Sequence, residues 1–266
     1  MKTRIISAIV MCAVLLPILF VGGLPFKILA IVLGIGSMFE IIRARENKSK
    51  IPLVIKLIAF ILLGLFIYLG TDVYSVKYEI IYKILIVIFL LYFVPVVLIN
   101  DTSKYSITDA LYILGSTVFL AVAFNSFVLI SNMGNKYLIY ILLITICTDT
   151  FAYFFGYFIG KHKMCEKISP KKTWEGAFGG SLMGTLIPTA FYMYLLNPAA
   201  NIFIVICITL LLTIIGQIGD LFFSSIKRHY KIKDFSNLIP GHGGVLDRMD
   251  SIIFVVLTFI LFISIL

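Results

Sequence analysis

The segment from Ser224 to Asp250, SSIKRHYKIKDFSNLIPGHGGVLDRMD, gathers lysines, arginines and acids around a glycine-rich turn in a chain that is otherwise nearly continuous hydrocarbon. Charge of that density beside apolar runs suits work on a charged partner. Asp247 and Asp250 stand three positions apart at the start of an apolar run, so a helix there projects both from one face. Together with Asp220, at the end of the preceding run, they are expected to bring three carboxylates to one point. Mg²⁺ prefers hard oxygen ligands and usually takes one or two carboxylates, completing its shell with water and substrate phosphates. The competing account is that Asp247 and Asp250 only complement the partial positive charge of a helix start. Between these acids lies Pro240-Gly241-His242-Gly243-Gly244. Glycines let backbone N–H groups approach an anion, and a following helix start adds positive potential, so the stretch reads as a phosphate cradle. A glycine run alone is a turn; set between KRxxxxKD and DRxD it points to phosphate.

A second polar segment, GKHKMCEKISPKKTWEGAFGG, runs from Gly160 to Gly180. Lys171 and Lys172 follow a Ser-Pro turn and read as phosphate ligands, whereas Lys161 and Lys163 read as interface anchors. Thr173, with Glu175 and Gly176, is placed to open the next helix. Trp174 suits either an interfacial anchor or a stacking platform for a base. Asp149 lies inside the apolar run ICTDTFAYFFG. A carboxylate in hydrocarbon costs at least about a few kcal/mol and is kept where it faces a cavity, binds a cation or forms an internal ion pair.

The elements that must position these groups are membrane helices. Of the 266 residues, 61% are hydrophobic and 13% charged, and the mean hydropathy is +1.09, far too apolar for a water-soluble globule. Nine apolar runs are long enough to span a bilayer, near 5–21, 24–42, 52–70, 79–99, 108–131, 137–160, 176–196, 201–223 and 249–266. The fold class is therefore an all-α polytopic membrane protein. The first run has the basic flank of a signal peptide, Lys2 and Arg4, without a small-residue cleavage site, and reads as a retained span. Only Gly22 and Gly23 separate it from the second, which leaves a re-entrant pair open.

An odd number of spans puts the termini on opposite sides. With the N-terminus cytoplasmic, 18 of the 22 lysines and arginines face inward, and only Lys27, Lys77, Lys83 and Lys136 face outward. That arrangement places both polar segments, 161–175 and 224–248, on the cytoplasmic side and the C-terminus outside. Residues 43–50, RARENKSK, read as a solvated topology determinant that also meets anionic lipid. The four cysteines lack any CxxC spacing and read as buried free thiols. The expected organisation is one membrane domain, with scaffold helices in 1–135 and chemistry in 136–266.

The pattern SxxKRxxxxKDxSxxIPGHGGxxDRxD, from Ser224 to Asp250, resembles the signature of the phosphatidate cytidylyltransferase, or CDP-diacylglycerol synthase, family. SPKKTWEGAFGG and GQIGDLFFSSIKR match further features of that family, and the resemblance is strongest over residues 145–254. One departure is Phe223, where many members carry Glu before the signature serine.

The resemblance implies transfer of the CMP unit of CTP to the phosphate of phosphatidic acid, releasing pyrophosphate. It implies Mg²⁺ at Asp220, Asp247 and Asp250, with room for an additional monovalent cation. Lys227 and Arg228 would join these acids in catalysis. Substrate contacts would come from Lys171, Lys172, Thr173, Ser224, Lys233, Asp234, His242, Gly243, Gly244 and Arg248. A phosphate monoester is already ionised at neutral pH, so His242 is expected as a hydrogen-bond donor or loop organiser rather than a base. The implied partners are CTP, phosphatidic acid and membrane lipids, with no nucleic acid and with a homodimer as an open assembly. The rival readings are a transporter or ion channel, and a related nucleotidyltransferase or kinase acting on another lipid. No Walker A loop is present, which argues against an ATP-driven pump.

Overall fold

The computed structural model describes residues 2–70 and 78–266. Among the basic residues counted for orientation, Lys77 and the side chains of Lys2 and Arg4 lie outside the described residues. Each of the nine apolar runs forms a helix: α1 Lys2–Val21, α2 Gly23–Glu46, α3 Leu53–Leu69, α4 Tyr78–Ile99, α5 Ile107–Met133, α6 Asn135–Phe158, α7 Trp174–Phe191, α8 Ile202–His229 and α9 Leu246–Phe262. A π-helical turn, Tyr192–Leu196, extends α7. Helices satisfy every backbone donor and acceptor internally, which apolar surroundings demand. Among the described residues, four of them, α2, α5, α6 and α8, are both long and apolar enough to cross a membrane. Large apolar side chains such as Leu182, Phe203 and Leu261 lie exposed on the helix surfaces, as expected of faces turned to lipid.

The same reasoning corrects the expectation for the thiols. All four cysteines are free, but Cys12 and Cys207 are exposed. An apolar run marks contact with hydrocarbon, not burial in protein.

The chain forms two compact units, one of Met1–Leu129 with Asp234–Val245 and the other of Ile130–Lys233 with Leu246–Leu266. The glycine-rich segment thus belongs with the N-terminal helices rather than with the residues around it in sequence. In the first unit α2 packs between α1 and α3, and α3 also meets α4. Gly22 and Gly23 adopt φ of 64° and 55°, left-handed values that a Cβ disfavours, and so permit the abrupt join of α1 to α2. Arg45 donates from Nε to Asp109 Oδ1 at 2.8 Å, and Ser49 Oγ donates to the same oxygen at 2.8 Å. The 43–50 segment is therefore not merely solvated: Arg45 and Ser49 fasten it to the start of α5.

In the second unit α7 packs closely on α6 and on α8, and α8 on α9. The close approach of α6 and α7 depends on the small residues in WEGAFGGSLMG. A Cβ on Gly176 would lie 2.7 Å from the Ala152 carbonyl oxygen, and one on Gly180 would lie 2.7 Å from that of Thr148. Gly219 plays the same part between α8 and α9, where a Cβ would lie 2.8 Å from the Asp250 carbonyl oxygen.

Two features depart from the expected layout. The 161–175 segment is an antiparallel hairpin of β1, Lys163–Cys165, and β2, Ser169–Thr173, pairing Lys163 with Thr173 and Cys165 with Ser169. The all-α expectation holds apart from this short sheet, in which polar backbone beyond the helices pairs with itself. Helix α8 also continues past its expected end at 223 to His229. Its last turn carries Lys227, Arg228 and His229, which complement the negative end of the helix dipole.

Candidate functional site

Because α8 continues through the charged signature, Asp220, Ser224 and Lys227 recur at spacings of four and three and share one face. Ser224 Oγ donates to Asp220 Oδ1 at 3.3 Å. The other oxygen, Asp220 Oδ2, pairs with Lys172 Nζ at 2.7 Å. Lys172 also donates to the Gln217 carbonyl at 3.3 Å. The pleat of β2 explains the selection, since neighbouring side chains point to opposite faces: Lys172 turns toward α8 while Lys171 is exposed.

Two turns along α8 from Asp220, Lys227 Nζ pairs with Asp247 Oδ1 at 2.8 Å, with side chains only 10% and 4% exposed. Asp250 lies close enough for the charges of Asp220, Lys227 and Asp149 to act on it. Asp149 is in turn within range of Asp220 and Lys172. Beside it, Thr145, Thr148, Thr213 and Ser251 line a narrow seam between α6, α8 and α9. The Thr148 hydroxyl is buried there without a hydrogen-bond partner.

The second unit therefore sets four carboxyl groups, Asp149, Asp220, Asp247 and Asp250, against two ammonium groups, Lys172 and Lys227. Among the described residues, no three His, Cys, Asp or Glu side chains gather closely enough to hold a metal by themselves. The convergence of Asp220, Asp247 and Asp250 on one point is not what forms, because Asp247 is drawn into its buried pair with Lys227. The donor set instead fits a divalent cation held by one or two carboxylates and completed by water and phosphate oxygens.

Other expected site residues take structural positions. Thr173 is buried and caps α7, its hydroxyl accepting from the Gly176 amide at 3.2 Å. Arg228 donates from Nε to the Ile168 carbonyl at 3.2 Å and from a terminal nitrogen to the Ile232 carbonyl at 3.3 Å. It thereby braces the hairpin turn against the end of α8. Lys233, Asp234 and Arg248 are exposed. Phe223 is wholly buried and meets Phe222 and Phe254 edge to face, at 5.4 and 6.2 Å between ring centroids. This position faces the aromatic packing of α8 on α9, so Phe223 takes no place among the acids.

Three further residues with structural work were not legible as such in the sequence. Glu175 accepts from the Lys161 amide at 3.1 Å and the His162 amide at 3.2 Å, and His162 Nδ1 lies 2.6 Å away. Its own backbone N–H, the His162 side chain and these amides hold its carboxyl well down, at about 2. The carboxylate thus stays charged at any physiological pH and fastens the base of the hairpin to the first turn of α7. Gln217 donates from Nε2 to Ser181 Oγ at 2.8 Å and to the Ala177 carbonyl at 3.3 Å, which ties α7 to α8.

The third residue is Glu40, which belongs to the first unit. Its side chain is fully buried in α2, and Oε1 accepts from Ser236 Oγ at 2.5 Å and from the Val245 amide at 2.8 Å. The sequence signal for it was slight: a single acid placed just before the basic RAR run.

The glycine-rich segment held by Glu40 is a tight turn. The Ile239 amide donates to the Gly243 carbonyl at 2.9 Å, and the His242 amide donates to the Ile239 carbonyl at 2.9 Å. Gly241 and Gly243 have φ of 79° and 84°, values that favour glycine. His242 Nδ1 shares a hydrogen bond of 2.8 Å with Ser7 Oγ. The expected cradle of backbone amides is therefore partly committed within the chain. The His242 amide closes the turn, the Val245 amide serves Glu40, and the open side of Gly244 is filled by the Glu40 carboxyl group.

A profile of the Cytidylyltransferase family matches residues 2–266. Phosphatidate cytidylyltransferase from Staphylococcus aureus (strain COL) is 36% identical over 256 residues, covering 96% of this chain and 96% of that protein. The protein of that name from Staphylococcus epidermidis (strain ATCC 12228) is equally similar, at 36% over 256 residues. The one from Bacillus subtilis (strain 168) is 36% identical over 260 residues, covering 96% of this chain and 94% of its own length.

Proposed function

Because the chain belongs to the cytidylyltransferase family, we propose that it transfers the cytidylyl unit of CTP to phosphatidate, forming CDP-diacylglycerol and pyrophosphate. The family is one of nucleotidyltransferases, so the transporter or channel alternative falls. The observation that carries the reading is the pair Lys172–Asp220 joining β2 to α8, with Asp250 and Asp149 in electrostatic range. Lys172 is only partly solvent-shielded, and an arriving triphosphate offers its ammonium more anionic charge than Asp220 does. Lys172 can therefore exchange carboxylate for phosphate, which would release Asp220 to serve a cation.

Phosphatidate brings its own nucleophile. An ionised phosphate oxygen forms a bond to the α-phosphorus while the bond from that phosphorus to the bridging oxygen of pyrophosphate breaks. No proton need move, and no general base is required. Catalysis then rests on positioning and charge neutralisation. Asp220 and Asp250 are the residues that would hold Mg²⁺, which when bound neutralises the triphosphate and the departing pyrophosphate. Lys227, locked to Asp247, sets the local potential and the start of α9 rather than gripping substrate directly. Lys171 and Lys233, both exposed, add attraction for the nucleotide at longer range.

Purified protein given CTP, phosphatidate and Mg²⁺ is expected to form CDP-diacylglycerol and one pyrophosphate per lipid. Neither product should appear when the lipid or the divalent metal is withheld. Pyrophosphate release at an equal rate without phosphatidate would sink the reading. A lipid product only with another lipid phosphate or another nucleotide would move the chain to a different branch of the reaction class.

All nine helices are further proposed to cross the membrane, with the N-terminus, the 161–175 hairpin and the 230–245 loop cytoplasmic. The 18-to-4 distribution of basic residues supports this orientation. Single cysteines at Lys167 and Asn237, both exposed, in a protein lacking its native thiols should react with a membrane-impermeant maleimide only in opened cells. Labelling of either in intact cells would reverse the topology.

A further inference from the structure

We infer that Glu40 is a positioning residue for the signature loop, fastening residues 236–245 from within. The inference rests on the cytidylyl-transfer reading for its kinetic part and on geometry alone for the rest. Two hydrogen bonds that Glu40 Oε1 accepts come from this one segment, 196 and 205 residues away in sequence. They fall at its two ends: Ser236 near the start, and Val245, after which Leu246 begins α9. Ser236 Oγ is also the acceptor for the Leu238 amide, at 3.2 Å, so the hydroxyl passes the constraint into the turn. Asp247 follows Val245 by two positions.

The neighbouring glycine acquires a definite reason. A Cβ on Gly244 would lie 2.6 Å from Glu40 Cδ and 2.6 Å from Oε2. Gly244 is buried and lacks a positive φ, so the requirement is for space and not for backbone freedom. The second glycine of the His-Gly-Gly motif accommodates a carboxyl group of the chain itself. Glu40 and Gly244 then form one unit in which the acid and the missing side chain presuppose each other.

The test is a mutant cycle read in two ways. The first readout is chymotryptic cleavage after Phe235, a residue 3% exposed that is reached only when the loop opens. Tryptic cleavage after exposed Lys167 serves as the control. Glu40→Ala should speed cleavage after Phe235 by about tenfold and leave cleavage after Lys167 unchanged. Glu40→Gln keeps an acceptor oxygen and should stay within about threefold of wild type.

Gly244→Ala should loosen the loop like Glu40→Ala. The double variant should be no worse than Glu40→Ala alone, because the added methyl group then meets empty space. The second readout is kcat/KM for CTP, expected to follow the same order. Should Glu40→Ala fail to accumulate, Glu40→Asp carries the comparison, since its shorter side chain withdraws the carboxyl group from both donors. Unchanged cleavage after Phe235 in Glu40→Ala or Glu40→Asp, or additive effects of Glu40→Ala and Gly244→Ala, would overturn the assignment. A wild type that makes no CDP-diacylglycerol but shows the cleavage pattern would overturn the proposed reaction and leave the clamp standing.

Discussion

Asp220→Asn is expected to lower the rate of CDP-diacylglycerol formation by about a hundredfold or more while the protein stays folded. The substitution keeps the shape of the side chain and removes its charge, so it strikes the Lys172 pair and the proposed cation site together. Loss of one positioned electrostatic contact to a transferring group costs about 3 kcal/mol, which is roughly a hundredfold in rate. Stability should change little, because the Lys172 and Asp220 side chains are 24% and 29% exposed, and partly solvated pairs contribute only about 0–1 kcal/mol. Initial rates at several Mg²⁺ concentrations, with the unfolding temperature in the same detergent, separate the two effects. An Asp220→Asn enzyme within about threefold of wild type would remove Asp220 from the reaction.

The Lys227–Asp247 pair should respond in the opposite sense, through stability. Its side chains are 10% and 4% exposed, so Asp247→Asn takes a counter-charge away from a buried ammonium group. Breaking a buried pair from one side costs about 3–5 kcal/mol. For a chain of this size that is a fall of about 10 °C in unfolding temperature. Replacing both members, as Lys227→Met with Asp247→Leu, removes the buried ammonium group and should bring the temperature back to within about 3 °C of wild type. Thermal unfolding followed by loss of the monodisperse peak would show the recovery. If the double variant is as unstable as Asp247→Asn, the pair is not an isolated buried bridge and the electrostatic account fails.

These contrasting roles for two acids of one signature were not legible in sequence. The spacing of Asp247 and Asp250 states that they share a helix face, and Asp220 can be seen at the end of an apolar run. Spacing does not say which lysine each acid meets. Lys172 reaches Asp220 only because a hairpin folds β2 against α8, and Lys227 reaches Asp247 only because α8 packs on α9 through Gly219. The hairpin itself was hidden, since a five-residue strand of Ser, Pro, Lys and Thr carries no apolar alternation. Glu40 was hidden for a similar reason. A lone acid at the end of a membrane helix looks like a flanking charge until the segment that covers it is known.

The nine helices, the clustering of charge in two segments and the family signature were determined by the sequence alone. Each is local: in hydrocarbon a run of about 20 apolar residues has essentially one way to satisfy its backbone, and a motif is read where it stands. Which carboxylate is shared with which ammonium, why Gly244 has no side chain, and why the glycine-rich loop belongs with the N-terminal helices were decided only by tertiary structure. Those are contacts between residues tens to hundreds of positions apart. Their energies depend on distance and burial, which no local pattern encodes.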